Sequence, residues 1–152
     1  VNGKEIEKEE VAELTGWMKE RIEAAGVTPP FTFFDFTTAM GLLYFKQKLV
    51  DLAVLEVGLG GRLDSTNVID PLLSIITNIA KDHEEHLGRS LLKIAKEKAG
   101  IIKKGRPLIT AATQPQVLRL FLKVCREKET LLPPGPLQRP PAVPTGGPRG
   151  RR

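Results

Sequence analysis

Glu56 is the last residue but one of an apolar run, LVDLAVLEV (49–57), which is followed at once by GLGGRLDSTN, with glycine at 58, 60 and 61. A second apolar run, LLSIITNIA (72–80), leads into Asp82 and His83, and Lys98 lies in the helical pattern beyond. If both runs are strands, a carboxylate and an imidazole stand at their carboxyl ends, the edge where open α/β sheets collect ligands. Such a pair could share a divalent cation, since magnesium takes one or two carboxylates and completes its shell with water and phosphate oxygens. A plainer reading stands beside this one: Glu56 caps or pairs locally and His83 is a loop histidine. Lys98 falls three and four residues along from Leu91 and Ile94, on the apolar stripe, while Lys93, Lys96 and Lys103 can face water. A lysine so placed either snorkels or uses a desolvated amine for chemistry.

Three familiar signatures fail on spacing. Gly58-Leu59-Gly60-Gly61-Arg62-Leu63 has a leucine where a dinucleotide fingerprint needs its third small residue. Gly100 and Gly105 have the glycine spacing of a P-loop, but Arg106-Pro107 replaces the lysine and hydroxyl residue that hold phosphate and magnesium. His83-Glu84-Glu85-His86 is one residue short of the zinc-protease spacing.

The composition, 41% hydrophobic and 27% charged over 152 residues, is that of a globular chain with one substantial core. No apolar run is long enough to span a bilayer and the first residues lack the order of a signal peptide, so the chain reads as cytoplasmic with no membrane partner. The net charge of +5 comes mostly from Arg139, Arg149, Arg151 and Arg152 in an end without acidic residues. The remainder is nearly balanced and shows no basic face interleaved with aromatics, which argues against a nucleic-acid partner. Cys125 is alone in the chain and reads as a small core residue.

The elements that must position these residues follow from periodicity and breakers. Residues 6–25 place Val11, Leu14, Trp17, Met18 and Ile22 at helical spacing with Gly26 as a stop. Thr32 and Asp35 have capping-box spacing ahead of a second, mostly buried helix, and Phe31, Phe33, Phe34 and Phe36 read as core. The runs 49–57, 72–80 and 106–112 read as strands, and 90–100 and 114–129 as helices, with Pro115 in the first turn of the last. This alternation predicts an α/β fold with a mostly parallel sheet flanked by helices over residues 1–130. Residues 131–152 hold seven of the twelve prolines and should be disordered.

FTFFDFTTAMGLLYF, LAVLEVGLGGRLDSTNVI, SIITNIAKDHEEHLG and IAKEKAGIIKKGRPLI, in this order, strongly resemble folylpolyglutamate synthase and the bifunctional dihydrofolate synthase, of the Mur ligase superfamily. The resemblance covers roughly residues 1–128 and implies part of the central ATP-binding domain of an ATP-dependent carbon–nitrogen ligase. Such an enzyme phosphorylates the carboxylate of a folate or dihydropteroate, and the amine of L-glutamate displaces the phosphate. By position, the resemblance makes Glu56 and His83 ligands of Mg2+ (or Mn2+), and Lys98 a lysine that becomes N-carboxylated. It makes Gly58, Gly60, Gly61, Arg62, Asp64 and Asn67 substrate contacts. The two runs 49–57 and 72–80 would then be adjacent parallel strands bringing Glu56 and His83 to one edge, with Lys98 turned toward them.

The departures from the family pattern also carry expectations. The GTNGKGS-like phosphate loop and the carboxy-terminal glutamate-binding domain have no counterpart in these residues, so the chain should be inactive alone, and the complete enzyme reads as a monomer. Another Mur-type amide ligase and a non-catalytic binding fragment are the competing readings.

Overall fold

The computed structural model describes residues 1–80 and 90–133. It divides into two compact units, split after Ile69.

The first unit is built on two helices, α1 (Lys8–Ala24) and α2 (Phe33–Gln47), followed by a 3-10 turn, Ser65–Val68. α1 buries Leu14 and Met18, and α2 buries Tyr44. Lys48 at the end of α2 pairs with Glu10 on α1 at 2.5 Å, and the Tyr44 hydroxyl donates to the same carboxylate at 3.4 Å. Thr32 caps α2 as its spacing predicts. The Asp35 amide donates to Thr32 Oγ1, and the Thr32 amide donates back to Asp35 Oδ2.

Both helices stop by the same device. After α1, Gly26 takes a φ of 63°, its amide donates to the Glu23 carbonyl and the Val27 amide to that of Ile22. After α2 the same two bonds run from Leu49 and Val50 to Lys46 and Phe45. Leu49, unlike Gly26, carries a Cβ into the left-handed region, at φ 48°.

The run 49–57 therefore departs from its strand reading. Lys48 and Leu49 terminate a helix, and residues 52–57 belong to no strand. Leu52 and Val54 are 70% and 88% exposed, so no second layer among the described residues covers this run. An apolar pattern specifies that a segment is fit for a sheet, whereas the sheet itself requires a partner strand. The expected phenylalanine core is not observed either. Phe31, Phe33 and Phe34 are all exposed, Phe33 at 84%; they precede or open α2, about three turns ahead of the buried Tyr44.

The second unit holds the sheet. β1 (Ser74–Ile76) and β2 (Leu108–Thr110) are parallel, with Ser74, Ile75 and Ile76 opposite Leu108, Ile109 and Thr110. The expected strands at 72–80 and 106–112 are thus present as three-residue cores, and β1 pairs with β2 rather than with 49–57. α3 (Leu91–Lys98), capped by Ser90, runs into a 3-10 turn, Ala99–Ile101, and α4 (Pro115–Glu127) follows β2 with proline at its first position. Ile76, Ile79, Ile94, Ile102, Leu108, Val117 and Phe121 form one buried cluster with Cys125. Burial pushes the Cys125 thiol up from its ordinary range. Beneath the sheet, Ser74 donates its hydroxyl to the Ile101 carbonyl at 2.8 Å, while Ile75 and Ile109 remain exposed on the other face. Arg106 forks onto Asp70 at 2.6 and 3.2 Å, fixing the approach to β2. No described helix is long and apolar enough to cross a membrane.

Leu49→Gly should raise the stability of the first unit by about 1 kcal/mol, since glycine tolerates the left-handed region that leucine does not. Phe121→Ala should cost about 3–5 kcal/mol in the second, as the loss of a fully buried ring leaves a cavity. Urea unfolding of the two variants checks both signs.

Candidate functional site

The glycine-rich stretch after Glu56 is held in shape by one carboxylate. Asp64 Oδ2 accepts the backbone amides of Gly58 and Leu59 at 3.1 and 2.9 Å, and Oδ1 accepts the amide and the hydroxyl of Thr66. Four donors fill what a carboxylate can take. Burial acts to raise the Asp64 pKa but is outweighed by the bonds from the Thr66 hydroxyl and from the Leu59, Thr66 and Gly58 amides, so it lies below the ordinary 3.8. The loop turns back through Gly60, at φ 68°, and closes with the Asp64 amide on the Gly61 carbonyl. Asn67 then ties its side-chain amide to the Arg62 carbonyl at 3.1 Å.

α2 supplies the wall of this loop. A Cβ added to Gly58 would stand 2.8 Å from Phe34 Cζ, so the ring lies directly on the glycine. Asp35 Oδ1 accepts the hydroxyl of Ser65, the first residue of the 3-10 turn. That bond, with two from Thr32, holds the Asp35 carboxyl below its usual range. The capping box is legible in the sequence; the further bond to Ser65 is not, because nothing local announces a contact thirty residues away.

The structure gathers six of the expected site residues, Gly58, Gly60, Gly61, Arg62, Asp64 and Asn67, in one loop. The amides of Gly58 and Leu59 point inward at Asp64, and Asp64 uses its oxygens on the loop itself, so both shape the backbone. Glu56 is exposed, at the loop's entrance, and its carboxylate has no hydrogen bond or ion pair among the described residues. An oxygen donor left open in this way fits a hard divalent cation in chemistry. Among the described residues, however, no three acidic, histidine or cysteine side chains cluster into a metal site. His83 and Asp82 lie outside the described residues. Lys98 belongs to the second unit. It is the last residue of α3, half-buried on the stripe of Leu91 and buried Ile94, where a cation also complements the helix's carboxyl end.

No family model matches the chain. A dihydrofolate synthase/folylpolyglutamate synthase of Bacillus subtilis is 48% identical over 124 residues, which are 80% of this chain and 29% of that protein. The apo form of a folylpolyglutamate synthase from L. casei superposes with a TM-score of 0.77 at 37% identity, over 84% of this chain and 32% of that one. A folylpolyglutamate synthase bound to AMPPCP and folate gives 0.73 at 37% identity, over 81% of this chain and 30% of that one. The chain thus spans about three tenths of the length of each of these three relatives. A match of 124 residues within 152 necessarily includes both Glu56 and Lys98.

The depressed Asp64 pKa has a defined sign. A carboxyl whose folded value lies below its unfolded one stabilises the fold fully above the unfolded value, and that stabilisation is lost as pH falls through the folded value. The Asp64 carboxyl carbon should therefore titrate below 3.8, with the amide shifts of Gly58 and Leu59 following the same curve. Amide shifts that stay flat through the carboxyl titration would separate Asp64 from the loop. Gly58→Ala should press on the Phe34 ring and on Asp64 Oδ2, 2.8 and 3.3 Å from the new methyl, and cost about 1–3 kcal/mol by urea unfolding.

Proposed function

This chain belongs by sequence and fold to the folylpolyglutamate synthase/dihydrofolate synthase family, and on that premise we propose that it is a working part of an ATP-dependent ligase that joins L-glutamate to a folate or dihydropteroate. The observation that carries the proposal is the 124-residue match, which runs through the glycine loop and α3. The relatives solved with AMPPCP and folate support a nucleotide and a folate as the ligands.

The reaction needs phosphoryl transfer to a carboxylate and then attack by an amine on the acyl phosphate. The amine's lone pair forms the amide bond, phosphate leaves, and the amine's proton passes to solvent. Such chemistry depends mainly on alignment and on offsetting the charge that gathers between phosphate and carboxylate. In this reading Glu56 and His83 would hold Mg2+ (or Mn2+), whose positive charge would offset it. Lys98 would serve after its ammonium has lost one proton and the free amine has added to CO2 with loss of a second, which turns a cation into an anionic carbamate. The loop 58–67, its backbone held by Asp64, would supply substrate contacts, Arg62 and Asn67 among them. A cytoplasmic, monomeric enzyme is the setting this implies.

The test is a transplant. Residues 1–128 placed in the B. subtilis relative, in exchange for its matching segment, should preserve ATP- and folate-dependent addition of labelled glutamate. In that chimera Glu56→Gln and Lys98→Ala should each lower turnover by about a hundredfold or more, as loss of one preorganised electrostatic group does elsewhere. A folded chimera without activity, or one indifferent to both substitutions, would sink the proposal. The 152-residue polypeptide tested by itself should release no ADP in response to folate and glutamate.

A further inference from the structure

Asp35 makes more hydrogen bonds than a helix cap requires. One oxygen closes the capping box, accepting the Thr32 amide at 2.6 Å and its hydroxyl at 2.8 Å. The other accepts Ser65, which opens the 3-10 turn whose capping residue is Asp64. Asp64 in turn holds the amides of Gly58 and Leu59. The first turn of α2 is thereby connected to the glycine loop by consecutive carboxylate bonds, the stronger class of hydrogen bond. Phe34, from the same turn, lies on Gly58. Two separate contacts from one helical turn thus meet one loop.

We infer that Asp35 is a positioning residue for the glycine loop, acting through Ser65 and setting the loop's register against α2. The carboxylate touches no loop amide itself. Its effect passes through the Ser65 hydroxyl to the 3-10 turn, and from there to the Asp64 side chain. Its significance for substrate rests on the function proposed above; its mechanical role does not.

Amide exchange in the intact chain separates this role from simple capping. Ser65→Ala removes the link and leaves the capping box whole. The amides of Leu59 and Thr66 should then exchange roughly tenfold faster, while that of Phe36, bonded to the Thr32 carbonyl in the first turn of α2, should keep its rate. Ser65→Thr, which retains the hydroxyl, should restore protection. Unchanged exchange at Leu59 and Thr66 in Ser65→Ala, or an equal acceleration at Phe36, would overturn the inference. In the chimera, Ser65→Ala should raise the KM for folate with kcat maintained. An unchanged KM alongside faster loop exchange would leave the positioning role standing and overturn only the loop's assignment to substrate.

Discussion

A backbone that curls through glycines without joining a sheet must still satisfy its amides, and in this chain one carboxylate meets much of that need. Asp64 takes up four donors from its own loop, and the form of residues 58–67 follows from it. The 3-10 turn begins on Asp64, the Phe34 ring finds a glycine to rest on, and Glu56 stays outside the network, exposed at the entrance. Glycine at 58 reflects the nearness of an aromatic ring; glycine at 60 reflects a backbone angle. Two similar residues answer to different constraints, and only the second is a matter of chain conformation.

What the sequence made legible is local. The Thr32/Asp35 capping box, the Gly26 stop, Pro115 at the start of α4 and the burial of Cys125 each depend on a few neighbouring residues, and each is observed. What it left hidden depends on partners far along the chain. The run 49–57 has the composition of a strand but no pairing segment among the described residues, and Phe31, Phe33 and Phe34 have the apolar character of a core that α2 does not build around them. The bond from Ser65 to Asp35 belongs to the same class: two ordinary polar residues whose relation exists only in three dimensions. Parallel pairing of 74–76 with 108–110 fell between these cases, since both runs were readable as strands and their mutual register was not.

Among the described residues, the core of the second unit rests on a sheet of two short strands. Six paired residues provide one wall, and Ile94, Val117 and Phe121, each fully buried, supply the other from two amphipathic helices. Lys98 sits at the rim of this packing, half-buried, so its environment is fixed by the same helix that fills the core. The position that the family resemblance marks for covalent modification is therefore set by ordinary hydrophobic packing, and a defect in that packing would reach the lysine.

The apolar side chains left in water have a calorimetric consequence. Leu52 and Val54 are hydrated in the folded chain nearly as they are in the unfolded one, and Ile75 and Ile109 about half as much. Unfolding ordinarily raises the heat capacity by about 12–15 cal/mol/K per residue because buried apolar surface meets water. Surface that is wet in both states contributes nothing to that change. The stability of this polypeptide should accordingly vary with temperature along a shallower curve than its length alone implies, with less difference between its behaviour in the cold and near its melting point.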